Sequence, residues 1–224
     1  MSELIFRQIE IGPMANYSYL IGSSASREAV LVDPAWDVAA LRELVRKEGL
    51  SLTGILVTHT HFDHVGGEMS GQRIEGVPEL LKLCAPDKPR LYVHPKEAGQ
   101  IPDGGEERVE TSDGFVLMLG GVAIEFIHTP GHSPGSQCFR VEGRLVSGDT
   151  LFIGSCGRTD LPGSRTEDLY DSLMDKLMKL DEDTQVFPGH NYSYGLTQST
   201  IGREKTSNPY CRFSSKQAFL EALG

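Results

Sequence analysis

Three histidines and an aspartate fall within six residues, His59-Thr60-His61-Phe62-Asp63-His64. Few features constrain a fold more. The apolar run Ile55-Leu56-Val57 precedes them and Gly66-Gly67 follows. That pattern predicts a buried strand that stops abruptly and hands a cluster of ligand-type side chains to the loop beyond it. Imidazole and carboxylate are donors for zinc, iron or manganese. A polar surface loop that happens to be rich in histidine is the plainer alternative.

Three further segments repeat the design. Phe126-Ile127-His128-Thr129-Pro130-Gly131-His132 is an apolar strand that turns into a histidine. Arg144-Leu145-Val146-Ser147-Gly148-Asp149 ends in Gly-Asp, and Gln185-Val186-Phe187-Pro188-Gly189-His190 ends in Pro-Gly-His. Each places a turn-forming residue between an apolar run and a candidate ligand. Taken alone, a histidine after a strand is more often structural. Four such ends imply a scaffold that brings several strand termini to one edge, where loops carry chemistry.

The rest of the chain alternates short strands with a few helices. Ile5–Ile9, Tyr17–Ile21, Ala29–Val32 and Arg90–Val93 read as strands. Phe115–Leu119 with Val122–Ile127 reads as a hairpin, and Ser136–Val141 and Leu145–Val146 as further strands. Asp37–Glu48 has helical spacing at Val38, Leu41, Leu44 and Val45, with Asp37 as N-cap and Gly49 just past the end. Val77–Leu83, Glu167–Leu180 and Ser214–Leu223 are the other expected helices, and Pro102–Glu107 a polar loop. Two packed sheets with outer helices, forming one domain over residues 1–224, fit this order better than two separate domains.

Composition removes several functions. The net charge is −10 with no Lys/Arg-rich run, which argues against nucleic acid and anionic membranes as partners. No apolar stretch approaches the roughly 20 residues of a membrane span. The opening Met1-Ser2-Glu3-Leu4-Ile5-Phe6-Arg7 lacks the charged and apolar regions of a secretory signal. Cys84, Cys138, Cys156 and Cys211 form no C-x-x-C pair. Free thiols in a cytoplasmic setting are expected, or in an organelle matrix if a targeting segment was removed.

The order H-x-H-x-D-H, G-H-S-P-G, S-G-D, P-G-H resembles the metallo-β-lactamase-fold superfamily, over roughly residues 5–210. The resemblance implies an α/β (α+β) fold, a four-layer αββα sandwich with metal at the edge where both sheets end. One metal site would use His59, His61, His132 and Asp149, and a second Asp63, His64, His190 and a shared Asp149. Within the superfamily, Cys156-Gly157-Arg158-Thr159-Asp160 resembles the persulfide dioxygenases, and His190-Asn191-Tyr192 resembles their His-Asp-Tyr with Asn191 in place of Asp. That family oxidises glutathione persulfide to sulfite and glutathione. Its single Fe(2+) would rest here on His59, His132 and Asp149, leaving positions for a sulfur ligand and dioxygen. His61, Asp63, His64 and His190 would then be hydrogen-bonding partners around it. By the same resemblance, Asp63 and Tyr192 are candidates for catalysis, and Arg158, Cys156 and Tyr192 for the substrate.

Phe62 and Val65-Gly66-Gly67 match the hydrolases of the superfamily equally well. The alternative is therefore a glyoxalase II-like thioester hydrolase with two Zn(2+) or mixed Fe/Zn, using both sites to polarise the carbonyl. A metal-binding module without catalysis is the reading from another class. An ion pair with Asp160 is the structural alternative for Arg158, and a small buried side chain that for Cys156. His94 and His128 lack a ligand context and read as structural, and Arg203 and Lys205 as solvated charge. The expected partners are a small glutathione-derived molecule and dioxygen; a homodimer stays open as the assembly.

Overall fold

The computed structural model describes residues 3–69, 71–86, 88–101, 108–193 and 195–223; the polar stretch 102–107 lies outside them. The first half supplies β1 (Leu4–Ile11), β2 (Asn16–Ser23), β3 (Glu28–Val32), β4 (Ser51–Leu56), a small hairpin β5 (Gly67–Met69) and β6 (Gln72–Ile74), then β7 (Arg90–Val93) and β8 (Arg108–Glu110). The second half supplies β9 (Val116–Leu119), β10 (Val122–His128), β11 (Gln137–Val141), β12 (Arg144–Gly148), the short hairpin β13 (Leu151–Phe152) and β14 (Ser155–Cys156), β15 (Gln185–Pro188) and β16 (Ser199–Thr200). Two six-stranded sheets result, in the orders β1-β2-β3-β4-β7-β8 and β16-β15-β12-β11-β10-β9.

Strand alternation sorts side chains into layers. On β3, Val30 and Val32 face the second sheet, where they join Ile124, Phe126, Phe139, Val146 and Phe187. Ala29 and Leu31 face outward with Leu20, Ile55, Leu41, Val45, Val77 and Leu80. A third apolar layer joins the far side of the second sheet, through Leu145 and Val186, to Leu169, Leu173, Leu177 and Phe219. This is the four-layer αββα arrangement. Each fully buried aliphatic side chain in it contributes about 1.5–3 kcal/mol.

Helix α1 (Val38–Lys47) starts as its sequence predicts: the Asp37 side chain accepts from Ala40 N at 2.9 Å. Gly49 follows at φ +66°, a conformation glycine adopts without penalty. The histidine segment departs from a plain loop, because Phe62–Val65 forms a single helical turn, α2. Helix α3 (Val77–Leu83) lies where expected.

The predicted helix Glu167–Leu180 is not one continuous α-helix. Thr166–Asp171 (α4) is α-helical, Ser172–Lys176 widens to a π turn, and Leu177–Lys179 tightens to 3-10. In the widened turn, Ser172 Oγ donates to Pro130 O at 2.6 Å and Lys176 Nζ to His128 O at 2.6 Å. Periodicity could not reveal this, because one inserted residue leaves the Leu169/Leu173/Leu177 face buried. Helices α5 (Ile201–Ser207) and α6 (Lys216–Leu223) complete the chain. Among the described residues no helix is long and apolar enough to cross a membrane.

Candidate metal centre

Strands β3, β4 and β7 are parallel, as are β12 and β15; β10 runs the same way as β12 because both are antiparallel to β11. The C-terminal ends of β4, β10, β12 and β15 therefore deliver His59, His132, Asp149 and His190 to one edge of the sandwich. Carboxyl ends of strands are where such sheets bind ligands.

Two donor clusters meet there. In the first, His61 Nδ1 lies 3.0 Å from His59 Nε2 and 3.0 Å from His132 Nε2. Asp149 Oδ2 lies 4.0 Å from His59 Nε2 and 3.6 Å from His132 Nε2. Donors about 2.1 Å from one ion stand at most about 4.2 Å apart, so all these pairs could share a cation. In the second, His64 Nε2 lies 3.2 Å from His190 Nε2 and 3.5 Å from Asp63 Oδ2. His190 Nε2 lies 3.3 Å from Asp63 Oδ2 and 3.4 Å from Asp149 Oδ2. These values lie near the roughly 3.4 Å edge of a tetrahedral set with 2.1 Å bonds. Asp149 lies between the two groups, within 4.0 Å of His59 and His132 in the first and of His64 and His190 in the second.

The imidazoles are held in the tautomer a metal needs. His132 Nδ1 donates to Arg158 O at 2.9 Å, His190 Nδ1 to Met14 O at 3.0 Å, and His64 Nδ1 to Asp33 Oδ2 at 3.0 Å. His59 Nδ1 lies 3.0 Å from Thr58 Oγ1, whose own proton goes to Asp33 Oδ2 at 2.5 Å. Each Nε2 is thereby left to face the centre. Asn16 Nδ2 donates to Asp63 Oδ2 at 3.0 Å and is itself fixed by Trp36 Nε1 at 3.0 Å.

Charge at the site favours a cation. Burial opposes charge on His64, but Asp149 and Asp63 outweigh it and lift its pKa well above the ordinary range. Burial likewise opposes charge on His190, and hydrogen bonds to Asp149 and Asp63 raise it to about 9. Asp63 is held at about 2 despite burial, chiefly by His64. The protons these carboxylates hold on His64 and His190 would be exchanged for a metal ion. Asp149 Oδ1 is buried with no short hydrogen bond among the described residues, only a 3.5 Å contact with His64 Nε2. A buried acceptor left so is costly, and a bound cation would satisfy it.

Asp33, Asn16 and Trp36 had no motif to mark them. Asp33 is the most consequential, because it also accepts from Thr58 N at 2.8 Å. Asp33→Ala should cost about 3 kcal/mol or more by orphaning buried donors. Urea denaturation of the metal-free protein measures it, and a loss below ~1 kcal/mol would refute the role.

Residues expected at the rim divide. Arg158 makes a bidentate pair with Asp160, at 2.5 and 2.6 Å, both side chains exposed. Cys156 is buried in the third apolar layer, and burial with neighbouring Cys211 pushes its thiol up to about 12. It offers no thiolate to a substrate. Tyr192 is 57% exposed and stacks on His190, with centroids 4.6 Å apart and planes 11° apart. His94 and His128 stack on each other at 4.0 Å, outside both donor clusters.

A protein-family model described as the metallo-beta-lactamase superfamily matches residues 11–190. The human protein "Persulfide dioxygenase ETHE1, mitochondrial" is 32% identical over 224 residues, covering 99% of this chain and 81% of its own. The crystal structure of ETHE1 from Myxococcus xanthus superposes with a TM-score of 0.84 at 30% identity, covering 98% of this chain and 89% of that one. TTHA1623, solved in a di-iron-bound form, gives a TM-score of 0.74 at 30% identity, covering 91% of this chain and 99% of that one.

Proposed function

The chain belongs to the metallo-beta-lactamase superfamily, and from that premise we propose that it is an iron-dependent sulfur dioxygenase acting on glutathione persulfide. One Fe(2+) would rest on His59, His132 and Asp149. The observation that carries this reading is the similarity to persulfide dioxygenases along nearly all of this chain. The products would be sulfite and glutathione, with one dioxygen and one water consumed per persulfide. Bound iron would supply the redox chemistry that lets dioxygen react with sulfur.

The chain's own residues would orient and enclose the reactants. Thr58 Oγ1 and the Arg158 carbonyl fix the two imidazoles. His61, Asp63, His64 and His190 would serve as hydrogen-bonding partners around the reacting groups, with the Asp63 carboxylate a hydrogen-bond acceptor. Tyr192, stacked on His190, walls the mouth of the site. Arg158 borders a cavity of about 350 Å³ with Cys156, Thr159, Asp160 and Tyr210. A carboxylate of the tripeptide would exchange with Asp160 for its guanidinium, which suits planar bidentate pairing.

One observation favours a second reading. Asp63, His64 and His190 form a compact donor group, and Asp149 lies 3.4 Å from His190 Nε2 beside it. Two ions would fit a thioester hydrolase, in which metals polarise the carbonyl. Metal analysis of anaerobically purified protein decides, together with oxygen uptake on glutathione persulfide and hydrolysis of S-lactoylglutathione. The dioxygenase reading expects about one iron per chain and oxygen uptake. His190→Ala should keep that ion and lose about 10–100-fold in activity, as for an outer partner. Two ions per chain with thioester cleavage and no oxygen uptake would sink it.

A further inference from the structure

Glu97 lies in the segment after β7 and is 1% exposed, yet it carries a carboxylate. Burying that group requires donors for both oxygens. Oε2 accepts from Thr60 N at 2.6 Å and lies 2.9 Å from Thr60 Oγ1. Oε1 accepts from Gly135 N at 2.8 Å and from Ser133 Oγ. Thr60 stands between His59 and His61, and Ser133 follows His132. These two loops leave different sheets, from β4 and β10 respectively. One side chain therefore ties together the loops whose imidazoles converge.

The clasp accounts for motif residues that no ligand role explains. A Cβ on Gly135 would stand 2.8 Å from Glu97 Cγ and 3.1 Å from Cδ, so close approach requires glycine there. Ser133 in G-H-S-P-G and Thr60 in H-T-H present their hydroxyls to the same carboxylate. The start of the first loop has a separate anchor, Gln137 N to Thr58 O at 2.9 Å. Glu97 fixes its middle, at Thr60 between His59 and His61.

We propose that Glu97 is a positioning residue of the metal centre: its carboxylate sets the register between the His59–His61 loop and the His132 loop. This rests on the reading of those histidines as metal ligands, and is independent of which metal binds. Glutamine cannot replace it, because an amide has one acceptor and would turn N–H groups toward the donors of Thr60 or Gly135.

The test uses Co(2+), whose visible spectrum reports ligand arrangement, on the full chain. Glu97→Gln should weaken Co(2+) binding about 10–100-fold and alter its spectrum, as loss of a group orienting a ligand does. Ser133→Ala should weaken it several-fold alone and add almost nothing to Glu97→Gln, since both remove one clasp. Wild-type affinity and spectrum in Glu97→Gln, even with lowered thermal stability, would overturn the proposal, as would fully additive losses. If Glu97→Gln does not fold, Ser133→Ala and Gly135→Ala decide by the same two readouts. A parallel His132→Ala sample separates the two failures. If it also binds normally, the ligand reading falls and takes the clasp with it; if it loses Co(2+) while Glu97→Gln does not, the clasp alone is wrong.

Discussion

Asp149→Ala should leave the protein with almost no tightly bound metal and lower kcat/KM about 1,000-fold or more. That corresponds to about 4 kcal/mol of transition-state stabilisation. The reason is its place between the clusters. Its Oδ2 lies 3.6 Å from His132 Nε2 and 3.4 Å from His190 Nε2, and its Oδ1 lies 3.5 Å from His64 Nε2. It lies within reach of donors in both groups, so its loss removes the carboxylate from either nuclearity. Metal content by elemental analysis is the primary readout, with far-ultraviolet circular dichroism as the control for folding. A folded Asp149→Ala protein that keeps wild-type metal would exclude the assignment outright. His190→Ala gives the contrast, since it touches the second set alone and under the mononuclear reading should keep its ion.

The parts of this site that were legible in the sequence share one physical signature. An apolar run, a turn former and a ligand-type side chain mark the ends of β4, β10, β12 and β15, and all four arrive at one edge. Local chemistry sufficed there because strand, stop and donor are consecutive. Asp33, Asn16 and Glu97 carry no such mark. Asp33 matters because β3 lies beside β4, and Glu97 because β7 lies on the other side of β4. Their partners, Thr58, His64, Thr60 and Ser133, are distant in sequence, so only the sheet order reveals them. The motif did hold an indirect clue: hydroxyls at Thr58, Thr60 and Ser133 beside candidate ligands call for buried acceptors elsewhere. The superfamily resemblance makes His61 a ligand, and the persulfide dioxygenase resemblance makes it an outer partner. The geometry draws its Nδ1 into the first cluster, while its two neighbours there present Nε2. Cys156 has two surroundings that spacing could not reveal: β14 pairs it with Leu151 and places it in the third apolar layer, and it also lines the cavity beside Arg158.

Gly189→Ala should weaken metal binding about 100-fold while costing about 1–3 kcal/mol of stability, the usual range for overpacking. Its Cβ would stand 2.1 Å from Asp149 Oδ1, 3.0 Å from Gly148 C and 3.1 Å from His64 Cε1. The backbone cannot retreat, because Gly189 N donates to Gly148 O at 2.8 Å and Gly189 O accepts from Tyr17 N at 2.7 Å. The carboxylate must therefore swing away, and it is the group that joins the clusters. Gly99→Ala is the matched control, since nothing lies within 4 Å of a Cβ built there. Calorimetric titration of both variants with Zn(2+) or Fe(2+), beside urea denaturation of the metal-free forms, separates loss of the site from loss of the fold. Equal affinity in Gly189→Ala and Gly99→Ala would mean that the space at Asp149 Oδ1 has no part in holding the ion. The glycine of Pro188-Gly189-His190 would then serve the turn alone. A selective loss in Gly189→Ala would instead show that the turn is built from glycine to leave the shared carboxylate room.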